Sequence, residues 1–390
     1  MVNFDLKKYQ YTEIQDYNLD SVVDKFKAEN KMAGWYDLDT SELDDIQETA
    51  KYVRENCDVF VVVGIGGSHL GSKAVIDALS PYFKKGKPEI IFVGHQLSTD
   101  YMNGLLDYIK DKNVMVNVIS KSGTTLEPSI AFDLLLDFLV KKYGEETTKR
   151  VIATTDAEHG TLLELAKEKN FKRYVVPDNI GGRFSVLTPV GLLPIAVAGF
   201  DIEALFRGAE KAKSEEEYYY YTQLRHELYG QGKFVESFNV YEPKLESFAE
   251  WLKQLFGESQ GKEGKGILPF STVNTRDLHS LGQYFQEGRD MIFSTTIFAN
   301  SDGTIELEKY KKTLNDVNYL AMQSVAEAHH NGHVPTSIIT MDKITEENLG
   351  YLIFFFEMSA MLGSYLLDIN YYDQPGVNGY KDILHEKIRG

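Results

Sequence analysis

The chain has 390 residues, 43% hydrophobic and 25% charged, an ordinary globular balance over a length that calls for two or three domains and can bury a large core. Its formal net charge of −17 argues against a nucleic-acid or anionic-membrane partner, and an anionic substrate must be held by local cations and backbone N–H groups against that field. The single cysteine, Cys57, rules out an intrachain disulfide framework and points to a reducing, cytoplasmic compartment, with the thiol itself a packing residue.

The start, MVNFDLKKYQ, lacks the apolar core of a signal peptide. Residues 1–43 read as an N-terminal helical arm. A helix is expected over 41–55, capped by Ser41, with Asp44 and Asp45 in its first turn where the helix dipole favours carboxylates. Val59–Val63 is a β-branched run ending in glycines, the pattern of a strand buried on both faces. Comparable runs lie at 90–93, 114–119, 151–154 and 174–176, with helical patterns between them at 128–143 and 161–170. This alternation predicts an α/β domain over 44–200, a parallel sheet between layers of helix. A helical connection follows over 201–232, including the acidic, tyrosine-rich stretch 214–229, to whose tyrosines no functional role is given. A second α/β domain is expected over 233–390, with strands near 235–240, 266–269, 292–297 and 337–340 and a C-terminal helix. The apolar stretch 351–367 is interrupted by Glu357 and is too short for a membrane span, so it reads as a buried helix.

Several segments carry chemistry. Gly64-Ile65-Gly66-Gly67-Ser68-His69-Leu70-Gly71 follows a buried strand, where glycines let a ligand approach backbone N–H groups at a helix start. It is neither a dinucleotide fingerprint, which needs glycine at His69, nor a P-loop, which needs Lys directly after Gly71. A tight turn without a ligand is the competing reading. Ser120-Lys121-Ser122-Gly123-Thr124-Thr125-Leu126-Glu127-Pro128 also follows a strand. Its four hydroxyls exceed the one that helix capping needs and suit a phosphate. Arg183 is held by Gly181 and Gly182 so that its guanidinium could project into a site; alone it could equally be a surface arginine. Glu258 follows an apolar helical stretch and precedes Gly261, and partial burial there would raise its pKa toward that of a useful base. His279 lies near a helix start, where an ordinary half-buried histidine is the plainer reading. Tyr372–Lys381 is a turn feeding a helix that carries Lys381.

Taken together and in this order, GIGGSHLG, SKSGTTLEP, DNIGGRFSVLTPVG, FGESQGK, DLHSLGQYFQEG and YDQPGVNGYK resemble the glucose-6-phosphate isomerase (phosphoglucose isomerase) family, in its shorter bacterial branch. The resemblance implies two sugar-isomerase-type α/β domains, each a parallel sheet sandwiched between helices. It implies an active site between them and a homodimer that supplies His279 across the subunit interface. It places Gly67, Ser68, Ser120, Lys121, Ser122, Thr125, Gln254 and Gln374 on phosphate and substrate, with Lys121 able to act through its backbone N–H. Glu258 falls on the base that moves a proton between C2 and C1, Arg183 on the group that steadies the enediolate, and His279 and Lys381 on the groups that open the sugar ring. Asn378 stands where the family usually has a glutamate. The implied partner is a small sugar phosphate, with no nucleic acid, no membrane, no metal and no cofactor. His329, His330 and His333 lack an acidic residue at ligand spacing. Two alternatives remain: a non-catalytic sugar-phosphate sensor, and an isomerase that also takes mannose 6-phosphate.

Overall fold

The computed structural model describes residues 1–29, 31–83, 86–301 and 303–389. The first half contains β1 (Val2–Tyr9), α1 (Leu19–Glu29), α2 (Leu43–Asn56), β2 (Val59–Val63), α3 (Leu70–Leu79), β3 (Glu89–Val93), α4 (Thr99–Ile109), β4 (Val114–Ile119), α5 (Leu126–Tyr143), β5 (Val151–Thr155), α6 (Thr161–Glu168), β6 (Lys172–Val175) and α7 (Pro189–Val197). Then come α8 (Ile202–Glu215), α9 (Tyr218–Gly230), β7 (Val235–Val240), α10 (Glu246–Gln260), β8 (Leu268–Val273), α11 (Leu278–Glu287) and β9 (Ile292–Ala299). A two-residue ribbon, β10 (Glu306–Leu307) and β11 (Lys312–Thr313), precedes α12 (Leu314–Asn331), β12 (Thr336–Met341), α13 (Glu346–Leu366) and α14 (Asn378–Arg389).

The chain divides into two compact units. The first comprises Asn30–Lys211 and Thr345–Ile353; the second comprises Met1–Glu29, Ala212–Ile344 and Phe354–Gly390. In the first unit the sheet is wholly parallel, in the order β3-β2-β4-β5-β6. All five residues of β2 are buried. Val59, Val61 and Val63 pack with Ile109, Phe132 and Leu135 on one side, while Phe60 and Val62 are equally buried on the other. Burial on both faces explains why this strand is a continuous apolar run rather than an alternation. The chain leaves β2 for β3 on one side and returns to β4 on the other. The β2–β4 border is therefore the point where the winding reverses, and loops at the carboxyl ends of such strands flank a crevice.

The sheet of the second unit runs β1-β12-β9-β7-β8. Its last four strands are parallel, and β1 is added antiparallel at the edge with Val2 opposite Met341. Here the structure departs from a helical arm over 1–43. Among the described residues there only Leu19–Glu29 is a long helix, while the first residues pair with β12. The reason is the alternation Val2, Phe4, Leu6, which has the period of a strand and presents Phe4 to the ring of Phe355, 4.8 Å away and stacked. Ser41 likewise does not cap a helix. Its N–H is taken by Asp39 Oδ1 at 2.9 Å in a preceding turn, and α2 begins at Leu43 with Glu42 before it. The 214–229 stretch is split by Glu216 in a left-handed conformation, and Tyr218 and Tyr221 of α9 are buried in the core.

Two buried features organise the second unit. α13 is long and apolar enough to cross a membrane by length and composition, yet it lies largely buried in the protein. Its Glu357 is fully enclosed, and burial pushes that carboxyl well above the usual range. The other feature is Glu236 of β7, which is 0% exposed and accepts from Tyr221 (2.5 Å), Thr295 (2.7 Å) and Arg225 Nε (2.8 Å). Arg225, itself 3% exposed, also lies 4.0 Å over the ring of Phe256 and donates to Gln260 Oε1 at 3.2 Å.

Candidate active site

In the first unit the two glycine- and serine-rich loops stand at the carboxyl ends of β2 and β4, the strands that border the winding reversal. In the second loop Ser120 Oγ accepts the Gly123 N–H at 3.0 Å, and Ser122 Oγ accepts the N–H of Thr124 at 3.2 Å. Gly123 sits at φ +73, and a Cβ there would meet the backbone nitrogen of Leu162 at 2.5 Å, so glycine is required on both counts. Thr125 is the residue before α5, but its side chain makes no capping bond to the helix. Its hydroxyl and the first N–H groups of an 18-residue helix are thus presented at one end, where the dipole favours an anion. The Lys121 ammonium turns instead to Asp178, 3.2 Å from its carbonyl and 3.2 Å from its carboxylate. That leaves the backbone N–H as the part of Lys121 facing loop chemistry.

Gly67 and Ser68 lie in the short turn Gly66–Ser68 after β2. A Cβ on Gly67 would fall 2.1 Å from the carbonyl of Gly182, so this loop and the segment carrying Arg183 touch backbone to backbone. The segment 178–186 therefore spans both loops, meeting Lys121 through Asp178 and Gly67 through Gly182. Arg183 is only 2% exposed and lies within this packed segment; it is not a surface arginine. His69 follows directly on Ser68. Its ring stacks on His95 at 4.5 Å and 6°, and burial, with His95 and Lys73 adding to it, pushes its pKa down to about 3. It is a neutral, packed ring.

In the second unit Glu258 and Gln254 are one turn apart on α10. The helix buries Phe248, Trp251, Leu252, Leu255 and Phe256 on its inner face, which leaves Gln254 and Glu258 half-buried on a flank. Gln254 Nε2 donates to Glu258 Oε1 at 3.4 Å, and Gln254 Oε1 is buried with no partner among the described residues. The last turn of α10 is pinned. Gln260 accepts from Arg225 and donates to the carbonyl of Ala360 at 3.2 Å, and Ser364 donates to the carbonyl of Ser259 at 3.4 Å. Gln374 precedes the short turn Pro375–Val377, which leads into α14 with Lys381 on its first turns; both side chains are exposed. His279 is exposed on the first turn of α11, and among the described residues its imidazole makes no hydrogen bond.

The structure thus brings Gly67, Ser68, Ser120, Lys121, Ser122, Thr125 and Arg183 onto adjoining loops of one unit. In the other it pairs Gln254 with Glu258 and sets Gln374 and Lys381 on one turn and the helix it feeds, while His279 stands on a helix of its own. Sequence reasoning missed Arg225, Glu236 and Lys262, which hold the Glu258 helix end and the Gln374 turn. Lys262 is visible in the ESQGK run, but nothing local announces its partners. Among the described residues no group of three or more His, Cys, Asp or Glu is disposed to hold a metal ion. His329, one of the three late histidines, stacks on Phe285 at 4.9 Å, and burial pushes its pKa down to about 4.

Comparison with known proteins gives one consistent result. A sequence model described as phosphoglucose isomerase matches residues 46–321 and 283–389. The chain is 46% identical, over 92% of its length and 87% of the relative's, to a glucose-6-phosphate isomerase of Staphylococcus saprophyticus. Its fold resembles that of a hypothetical protein from Thermus thermophilus, with a TM-score of 0.88, 25% identity and full coverage of both chains. It also resembles a glucose-6-phosphate isomerase from Chlamydia trachomatis, with a TM-score of 0.77 and 21% identity over 97% of this chain and 76% of that one. With the α/β architecture and the loops described above, these matches establish that the chain belongs to the phosphoglucose isomerase family.

Proposed function

We propose that the chain reversibly interconverts glucose 6-phosphate and fructose 6-phosphate through a cis-enediolate, with no metal or cofactor. The observation that carries this reading is the 46% identity to a curated glucose-6-phosphate isomerase across 92% of the chain. The reading assigns Ser68, Ser120, Ser122 and Thr125, with the N–H groups of Gly67 and Lys121, to the phosphate. These donors lie at helix starts, where the dipole offsets the overall acidity.

The chemistry follows from the groups available. Ring opening delivers a proton to the ring oxygen as the C1 hydroxyl loses one, and His279 and Lys381 handle these protons. Glu258 then takes the C2 proton. The C–H electron pair becomes the C1–C2 double bond, and the carbonyl electrons collect on O1. Arg183, fixed by its packing, stabilises that oxygen. The O2 hydroxyl proton passes to O1, and Glu258 returns its proton to C1 as O2 becomes the carbonyl, so one carboxylate serves both C–H steps. Gln254 orients Glu258 through their contact, and Gln374 accepts a substrate hydroxyl. We place the reaction in the cytoplasm, consistent with a single buried thiol, Cys57, whose pKa burial pushes up to about 12. We further infer a homodimer in which His279 serves the neighbouring subunit's substrate. The exposed His279 shares α11 with exposed Leu281 (39%) and Tyr284 (45%), an apolar strip that suits an interface.

A coupled assay tests the reading directly. Purified protein treated exhaustively with EDTA should convert fructose 6-phosphate to glucose 6-phosphate at its untreated rate; no turnover, or turnover restored only by a divalent ion, would overturn it. Ser120→Ala combined with Thr125→Ala should raise KM more than it lowers kcat, because phosphate is held alike in ground and transition states. An unchanged KM would remove this loop from the site. If His279 acts across subunits, mixing inactive His279→Ala and Glu258→Gln proteins should regain activity after subunit exchange, whereas no recovery under conditions of proven exchange would place His279 in its own subunit's site.

A further inference from the structure

Lys262 lies beyond the end of α10, four residues after Glu258, and its side chain is only 7% exposed. Its ammonium donates to the backbone carbonyls of Asn370 and Asp373 and, at 2.8 Å, to the Asp373 carboxylate. The receiving turn is internally tied. Asn370 Nδ2 donates to the other carboxylate oxygen of Asp373 at 3.2 Å, and Asn370 Oδ1 accepts the Tyr372 N–H at 3.0 Å. Three residues along, Lys265 donates to the carbonyls of Leu367 (2.9 Å) and Asp368 (3.3 Å) just past the end of α13, where carbonyls have no helical partner. The segment after the Glu258 helix is thus anchored by two lysines onto the chain that leads to Gln374 and Lys381.

The bonding pattern is that of a clamp. A lysine ammonium has three donors and no acceptor, and a buried one is stable only when carbonyls or carboxylates surround it. Lys262 meets three such oxygens, all on the turn immediately before Gln374. Gln374 and the first turn of α14 lie exposed directly after this turn, so the Lys262 bonds fall on the segment that carries them. We propose that Lys262 is a positioning residue that sets the turn bearing Gln374, and through it the helix bearing Lys381, in fixed relation to the end of the Glu258 helix. Without the clamp the Gln374 contact weakens for both substrates alike, which raises KM, the proton-transfer group stays in place, and the ring-opening group loses its position, which lowers kcat only where a ring must open. This rests on the roles given above to Glu258 and Lys381.

The test compares two substrates. Fructose 6-phosphate must be opened. 5-Deoxyfructose 6-phosphate has no hydroxyl left that can close a five- or six-membered ring, so it needs proton transfer only. Lys262→Met, which keeps the length of the stem, should lower kcat on fructose 6-phosphate by about 10- to 100-fold, the range expected for misplacing a catalytic group by an ångström, and change the open-chain rate by less than about threefold. Amide hydrogen exchange over residues 370–381 should accelerate while that of 246–260 does not. Lys262→Arg, which can still reach the two carbonyls, should recover part of the loss. Asp373→Asn, in an exposed turn, should give a smaller loss with the same substrate selectivity even if Lys262→Met fails to fold. Equal losses on both substrates, or unchanged exchange over 370–381, would overturn the clamp. Lys381→Met separates the two claims. Equal losses on both substrates in that variant would refute the ring-opening role of Lys381, and the exchange measurement on the Lys262 and Asp373 variants would then decide the clamp by itself.

Discussion

The second unit is built around a charge that cannot be left alone. Glu236 sits fully buried in an interior strand of its sheet, and a carboxylate there costs several kcal/mol unless it is paired and hydrogen-bonded. Arg225, Tyr221 and Thr295 meet that need, and Arg225 extends the network to Gln260. Gln260 is two residues from Glu258. Moving the end of α10 would break the bond that Arg225 donates to Gln260 and the stacking of that guanidinium over Phe256, in a region where neither group can turn to water. The half-buried carboxylate assigned as the base therefore stands on a helix end held by a fully buried ion pair.

The role proposed for the first unit poses a different problem, how an acidic protein holds an anion. Its means is topology rather than net charge. A parallel sheet that winds outward in both directions from the β2–β4 border places two loops at strand ends, each leading into a helix whose first N–H groups are unpaired. The backbone contact between Gly67 and Gly182 then draws the Arg183 segment onto one of these loops. Arg183 is thus fixed by packing, which for the role proposed for its guanidinium would remove the entropy cost of recruiting it from solvent.

Much of this is legible in the sequence, and the failures share a cause. The β-branched runs mark the strands to within a few residues, because strands buried on both faces carry an unmistakable composition. The glycine and hydroxyl loops stand out because anion binding needs residue types that are rare together. The strand Val2–Tyr9 falls in a segment expected to be helical although Val2, Phe4 and Leu6 alternate; the polar residues that follow, through 18, dilute the period. Ser41 is the right residue type for a cap, but Asp39 holds its N–H in a turn before the helix can start. Pairings such as Arg225 with Glu236, or Lys262 with Asp373, join residues 11 and 111 positions apart, and no local pattern marks such partners. The catalytic assignments of His279 and Lys381 come from family resemblance alone. Both are exposed, and their local sequence carries no chemical signal.

The account turns on one carboxylate moving one hydrogen. Glu258→Gln keeps the shape and the contact with Gln254 but cannot accept a proton at neutral pH. Its most direct test follows exchange of the substrate's C2 hydrogen with solvent deuterium, alongside kcat, in a variant shown to fold and to bind a substrate analogue. The account predicts that exchange and turnover fall together by about 10²–10⁴-fold or more. Turnover above about a tenth of normal, or exchange that persists in the variant, would contradict it and make Glu287 the next carboxylate to examine.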